Sequence, residues 1–506
     1  MRRVWMVAGC ALTSGALLLL LGCGGSSAPS ESMPPPLPPP PPAGITQLSS
    51  DPFTNPESQH ATEVEAGMAS FGSTLVTAFQ VGRIFGGGSS DIGFATSTNG
   101  GTSWSSALLP ALTKFQGGGP YNAASDPSVA FDQAHGVWII ASLAIAAGTD
   151  IVVVSRSADA HTWGNPVSVS TTTDADKPWI TCDNNSGSPF LGHCYIEWDD
   201  PSRPANGLIW MSTSSDGGQT WSVAVNTADT ATGLGGQPVV GANGLVIVPI
   251  ENADGTQMLS FTSSDGGATW SRTVMISTIT DHMVAGNLRT SSLPSAAVDA
   301  SGRVYVVWQD CRFRMNCSSN DIVMSTSSDG SNWTAPSGIP IDALTSAVDH
   351  FIPVLAADPA TSGGSAHLAL TYNFYPQAAC TPATCQLEVG SVSSSDGGST
   401  WSAPATLAGP MQLTWLPNTS SGVMVGDYMA TAYSNNQAYG VFAVAQANSG
   451  SVFNEAIFAT TNPLPQTKHS QRMAIRADAA VTRRSDHPPR RFYDLDHEHP
   501  IPRRKK

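Results

Sequence analysis

Ser214-Ser215-Asp216-Gly217-Gly218-Gln219-Thr220-Trp221 decides the fold, because the chain writes this phrase six times. Residues 263–270 and 394–401 are close copies. Residues 97–104 carry Asn99 in place of the Asp. Residues 157–163 and 327–333 are one residue shorter. The phrase reads as a tight turn. Asp or Asn folds its side chain back onto backbone N–H groups, and Gly-Gly supplies positive φ. Thr and Trp then start the next strand. A Trp this large is not left in water six times, so each is expected to wedge between neighbouring units. The six Trp recur at intervals of 49 to 68 residues, the period of an array of small sheets.

The phrase resembles the Asp-box, or BNR repeat, of the sialidase superfamily and of other β-propellers. The resemblance covers residues 60–465. In that family the Asp-box lies on the face opposite the active site. The resemblance therefore implies structural, not catalytic, roles for the six boxed Asp or Asn residues.

The 506-residue chain holds Gly 48 and Pro 37, and only 12% of its residues are charged. That composition favours turns and short strands, and no long helical period is visible. Arg2 and Arg3 precede an apolar run ending Leu20-Leu21-Gly22-Cys23. The run is too short for a comfortable membrane span and has signal-peptide form, so residues 1–22 are expected to be removed. Leu-Leu-Gly-Cys resembles a bacterial lipobox, which implies lipidation of Cys23 and, with Gly24 following, an outer-membrane address. An ordinary secretion signal is the alternative. Residues 23–43 form a proline-rich linker, read as a stiff spacer.

Six of the eight cysteines remain: Cys182 and Cys194, Cys311 and Cys317, Cys380 and Cys385. Each close pair brackets a loop, so three local disulfides are expected in an oxidising compartment. No pair has the Cys-x-x-Cys spacing of a metal site. Residues 44–465 hold ten of the 23 Lys and Arg, against 38 Asp and Glu in the whole chain. This body is acidic and shows no basic stripe, which argues against nucleic acid. Residues 466–506 are basic, carry no apolar period and read as a disordered tail.

Between the boxes, acidic or Pro-marked starts such as Asp126-Pro127 and Asp176-Lys177-Pro178 open a first strand. Pro at a strand's first position removes no ladder bond. Apolar second strands and Asp-led third strands follow. Seven such units are counted, the seventh without a box of its own. Residues 45–48 could supply its missing fourth strand and close a ring, which would remove two open sheet edges. The expected fold is all-β, a seven-bladed β-propeller over residues 44–465, with six sialidase-type blades as the alternative.

In such a fold, first-strand starts and second-strand ends converge on one rim. The catalytic candidates there are Asp126, Asp176, Asp427, Tyr428 and Glu65. Sugar hydrolysis needs one carboxylic acid for the leaving oxygen and a second group as nucleophile or base. The substrate-binding candidates are Arg83, Lys177, Asp310, Arg312 and His350, with Arg312 stiffened by the Cys311/Cys317 pair or paired with a rim carboxylate such as Asp427. Sialidases hold a substrate carboxylate with three arginines, and the early Arg-Ile-Pro motif of that family is absent. No arginine occurs between Arg314 and Arg472, so the usual triad is excluded. Only a different arrangement, of Arg83, Arg289 and Arg312, would remain.

No metal set is read from the histidines, and no cofactor is expected. Ca²⁺ is the one ion the rim acids could suit. The resemblance implies a monomeric, surface-anchored or secreted envelope protein, held at the membrane by its lipid. It would act on glycans as an exo-glycosidase with an altered site. The alternative is a non-catalytic propeller binding glycan or protein at the cell surface.

Overall fold

The computed structural model describes residues 44–146, 148–170, 174–202, 206–466 and 471–472. The signal segment, Cys23, the proline linker and nearly all of the basic tail lie outside the described residues. So do the outcomes expected for them.

The fold is an all-β propeller built from antiparallel meanders. The first runs Glu63–Phe71, Thr74–Arg83, Ser89–Ser97 and Ser105–Leu108, each strand pairing with the next. The last is Ala430–Ser434, Gln437–Ala445 and Glu455–Thr460. Its fourth strand comes from the other end of the described chain. Ile45–Gln47 pairs with Glu455–Thr460, with Ile45 opposite Thr460. The ring is closed by this strand, as the sequence suggested, and no sheet edge is left open at the seam.

The blade count departs from expectation. Five sheets carry four or more strands and a sixth carries three, so neither seven nor six separate four-stranded blades are present. Two local causes account for this. Ser89 pairs with Ala124, which fuses the first meander and the next, Ala123–Asp132 to Val167–Ser168, into one eight-stranded sheet. The meander Asp176–Cys182, Cys194–Asp200 and Leu208–Ser214 keeps only isolated bridges, Met211–Val225 and Leu208–Thr232, where an outer strand was expected.

Second strands are buried along most of their length. Val304–Asp310 and Cys194–Asp200 are buried at every position. Each sheet is covered on both faces by its neighbours, so these strands are apolar runs rather than alternating ones. The boxed Trp residues fill the gaps between sheets. Trp270 lies edge-on to Tyr195 of the preceding sheet, with centroids 6.2 Å apart, and Trp401 packs in a cluster with Tyr305 and Met324.

The box itself is a hydrogen-bonded turn. Asp216 Oδ1 accepts from the N–H groups of Gln219 (2.9 Å) and Thr220 (3.0 Å), and the Thr220 hydroxyl donates to Oδ2 at 2.6 Å. Burial pushes the Asp216 carboxyl up. The Thr220 hydroxyl and amide outweigh it and bring the group down to about 2. The three expected disulfides, Cys182–Cys194, Cys311–Cys317 and Cys380–Cys385, are all formed.

Register fixes which end of the sheets carries the boxes. Glu63 pairs with Val81, and Val81 with Asp91. At the other end Phe71 pairs with Thr74, and Leu75 with Ser97, where the box begins. First-strand starts and Asp-boxes are therefore at opposite ends.

Candidate functional site

Four first strands break their ladder in the same way. Register shifts fall between Val64 and Gly67, Ser125 and Ser128, Asp176 and Trp179, and Phe351 and Val354. Each shift is a β-bulge holding one residue at positive φ: Glu65 (59°), Asp126 (47°), Lys177 (46°) and Ile352 (49°). A non-Gly residue in this region is strained by roughly 1–2 kcal/mol. Pro follows three of the four bulges, at Pro127, Pro178 and Pro353. A bulge re-aims one side chain out of the alternating pattern. Here it brings Glu65, Asp126 and Lys177 together.

Lys177 is the hub. Its Nζ donates to Asp427 Oδ2 at 2.5 Å and lies 3.9 Å from Asp126 Oδ1. Its backbone N–H donates to Asp176 Oδ1 at 3.0 Å. Arg289 grips Asp427 from the other side, Nε to Oδ1 at 2.8 Å and Nη2 to Oδ2 at 2.6 Å. Burial raises the Asp427 carboxyl, but Arg289 and Lys177 outweigh it and hold the group well below the usual carboxylate range. Burial pulls Lys177 down, yet Asp427, Asp126 and Asp176 carry it well above its usual value. Asp427 and Lys177 therefore stay ionised as a pair.

Glu65 has the opposite environment. It is buried, and burial together with the neighbouring Asp126 and Asp427 pushes it up to about 8, against the lowering pull of Lys177 and Arg83. Gln80 Nε2 donates to Glu65 Oε2 and, at 3.1 Å, to Ser125 Oγ. The Asp427 N–H donates to Glu65 Oε1 at 3.3 Å. Gly426 allows this approach. Its φ is +108°, and a Cβ there would sit 3.0 Å from the Glu65 nitrogen. Tyr428 Oη donates to Asp126 Oδ1 at 3.2 Å, and the Tyr428 ring meets Trp179 edge-on at 5.3 Å. Burial, then Asp126 and Glu65, raise the Tyr428 phenol well above its usual value, so it is a neutral donor.

Two cavities adjoin this cluster. One is lined by Lys177, Trp179, Ile352, Asp427 and Tyr428, among others. The second is lined by Glu65, Arg83, Asp126, Asp176 and Arg289, among others. Seven sequence-chosen residues thus share one mouth: Glu65, Arg83, Asp126, Asp176, Lys177, Asp427 and Tyr428. Arg83 Nη1 donates to the Gly88 carbonyl at 2.9 Å, and its Nε meets Met424 Sδ at 3.2 Å.

Three others are held elsewhere and line neither cavity. Arg312 donates to Asp310 through Nε (2.9 Å) and Nη2 (2.6 Å) and to Ser277 Oγ, so it meets Asp310 and not Asp427. Asp310 is fully buried and also accepts from Trp308 Nε1 and the Thr280 N–H. His350 is buried against Tyr372 and Phe374, and burial pulls it down to about 4. Asp321, Asp342 and His350 form the one metal-compatible group found among the described residues. Arg314 already bonds both carboxylates, at 2.5 and 2.6 Å, and offsets one of their two charges, so an ion there would compete with it. Ca²⁺ at the rim acids gains no ligand set from this arrangement.

Gln80, which bonds Glu65, was not among the sequence candidates, and Arg289 entered there only in a rearranged set with Arg83 and Arg312. Arg289 follows an irregular turn, Ala285–Asn287, and is fixed by its N–H to the Val423 carbonyl. No period marks it. Gln80 sits inside an apolar run, and a buried polar residue there was the available signal.

Residues 146–353 match the family described as a BNR repeat-like domain. No curated protein matches the chain. Among solved structures, it is similar to the Hadza microbial sialidase Hz136, at 16% identity and a TM-score of 0.40, over 80% of this chain and 68% of that one. It is similar to an ulvan lyase of a polysaccharide lyase family, at 11% identity and 0.48, over 82% and 93%. It is also similar to the α-L-arabinofuranosidase Arb93A from Fusarium graminearum, at 12% and 0.42, over 69% and 97%. These likenesses carry no assignment of activity. The matched domain makes residues 146–353 a BNR repeat-like segment, and the repeated Asp-box turns continue that pattern on both sides of it.

Proposed function

We propose that the chain acts on glycans, as an exo-glycosidase whose site is the mouth around Glu65, Asp126, Asp427 and Tyr428. The observation that carries this reading is that Glu65 and Asp126 line one cavity beside an ion-paired Asp427. Glu65 is pushed up to about 8, whereas Asp427 is held ionised by Arg289 and Lys177. Carboxyls driven apart by their surroundings are the arrangement that acid–base chemistry at neutral pH requires. Glu65 gives its proton to the glycosidic oxygen as the bond to the sugar carbon breaks. Asp126, steadied by the Tyr428 hydroxyl, takes a proton from the water that attacks that carbon. The products are the free sugar and the alcohol, and solvent returns the proton from Asp126 to Glu65. Lys177, Arg289 and Asp176 hold the charge pattern in place.

The test is turnover of a panel of 4-nitrophenyl glycosides by the wild type, Glu65→Gln and Asp126→Asn. Turnover lost in both variants supports the roles. Turnover unchanged in both removes these residues from the mechanism. A second reading, a non-catalytic glycan- or protein-binding propeller, is favoured by the full commitment of Asp427 to two cations. Ligand binding without turnover of any glycoside would select it.

We further propose that Cys23 is lipidated, placing the propeller at the cell envelope. The Leu20-Leu21-Gly22-Cys23 sequence supports this. Fatty-acid labelling that persists in Cys23→Ser would sink it.

A further inference from the structure

We propose that the mouth takes an uncharged sugar, whose apolar ring face lies on a wall made by Trp179, Ile352, Pro353, Leu293 and Pro294. This deepens the glycan-acting reading and rests on it. The first observation is an asymmetry among the four bulges. Three present a charged side chain, Glu65, Asp126 and Lys177. The fourth presents Ile352, and Ile352 lines the first cavity together with Trp179. The same backbone device therefore divides the mouth into a charged half and an apolar half. Trp179 and Tyr428 are half-buried and meet edge-to-face, which fixes an aromatic surface with a polar end at Tyr428 Oη.

The second observation concerns the cations. Lys177 and Arg289 are bound to Asp427, and Arg83 is bound to the Gly88 carbonyl; all three are buried. Arg312 and Arg314 are bound to Asp310, Asp321 and Asp342, away from the cavity. A substrate carboxylate entering here would have to displace the internal carboxylate of Asp427. It would also face Asp126 and Asp176, and the cations nearest it are already engaged. That is a built-in penalty against acidic sugars. A neutral sugar meets no such penalty. Its hydroxyls can bond Asp126, Asp176 and Tyr428 Oη while the Lys177–Asp427–Arg289 unit stays intact.

Binding, rather than turnover, tests this on the full chain. Methyl glycosides of galactose, mannose, xylose and arabinose are titrated by calorimetry against those of glucuronic acid and N-acetylneuraminic acid. At least one neutral glycoside is expected to bind about tenfold or more tighter than either acidic one, about 1.4 kcal/mol. Trp179→Ala is expected to weaken the preferred neutral glycoside about tenfold. Asp427→Asn releases Arg289 and Lys177 and is expected to raise affinity for the acidic pair. If that variant fails to fold, Trp179→Ala, at a half-buried position, carries the test alone. Preferential binding of an acidic glycoside overturns the inference and leaves the glycan reading standing. Neutral binding insensitive to Trp179→Ala overturns the apolar wall. Binding of no glycoside overturns both the inference and the glycan reading.

Discussion

Arg289 and Asp427 are joined by two hydrogen bonds, 2.8 and 2.6 Å, across 138 residues of sequence. Both are buried, and Lys177 closes the same carboxylate from a third direction. This pair ties an irregular loop to the segment that leads into Ala430–Ser434 and sets the charge of the mouth. In water such a pair would contribute little. Buried, each partner depends on the other, because removing one leaves an uncompensated charge.

Arg289→Met is therefore expected to destabilise the fold by about 3 kcal/mol, towards the lower end for a broken buried pair because Lys177 remains. Urea denaturation at pH 7 measures it. The pair also sets an acid limit. The folded carboxyl of Asp427 lies below its unfolded value of about 4, so its contribution is present above that pH and is lost as pH falls below about 4. In Asp427→Asn this acid-side loss should shrink. An unchanged acid limb in that variant would show that other carboxyls control it.

Glu65 predicts the alkaline side. Its folded carboxyl, at about 8, lies above its unfolded value of about 4.3. Its stabilising contribution is complete below pH about 4, erodes as pH rises, and is gone above about 8. Turnover should fall over the same limb, about tenfold per unit above pH 8, as the acid loses its proton. Glu65→Gln should lose turnover and flatten the stability profile between about pH 4 and 8. A variant whose denaturation midpoint still falls over that range would assign the effect to another group, Glu63 and Glu251 being the other glutamates pushed up to about 8.

Much of this was legible. The six boxes determined the fold class, because Asp, Gly-Gly and Trp are each required by one geometry. The first-strand acids were found because Asp126-Pro127 and Asp176-Lys177-Pro178 mark strand starts, and strand starts share a rim. What was not legible was the bulge. It needs one extra residue in a ladder, and Val64-Glu65-Ala66-Gly67 shows no turn signal to announce it. The blade count failed for a related reason: the Ser89–Ala124 pairing that fuses two meanders is a single contact, set by tertiary approach and not by pattern. Arg312 misled because a disulfide loop beside Asp310 looks like a presented cation. The nearest carboxylate, two residues away, captured it.

That capture is testable. Arg312→Ala should leave glycoside turnover within about twofold of wild type, since Arg312 lines neither cavity at the mouth. It should cost roughly 1–3 kcal/mol in stability, because the buried Asp310 loses two charge-assisted hydrogen bonds. A fall in turnover of tenfold or more, at unchanged stability, would restore Arg312 to the substrate.

The boxes supply the last prediction, and it separates fold from function. Asp216→Ala removes the acceptor of two backbone N–H groups and two hydroxyls, those of Thr220 and Ser214. The turn is exposed, so water replaces part of what is lost, and the expected cost is about 1–2 kcal/mol. The box lies at the sheet end opposite the first-strand starts, so turnover should not change. Gly218→Ala probes the same turn through its backbone: φ is +77°, and the new Cβ would stand 3.0 Å from Ile139 Cδ1 of the neighbouring sheet. It should destabilise by roughly 1 kcal/mol or more, again without loss of turnover. Thermal unfolding and turnover measured on one preparation decide both. Loss of turnover without loss of stability in Asp216→Ala would put chemistry at the boxed end and undo the assignment of the mouth.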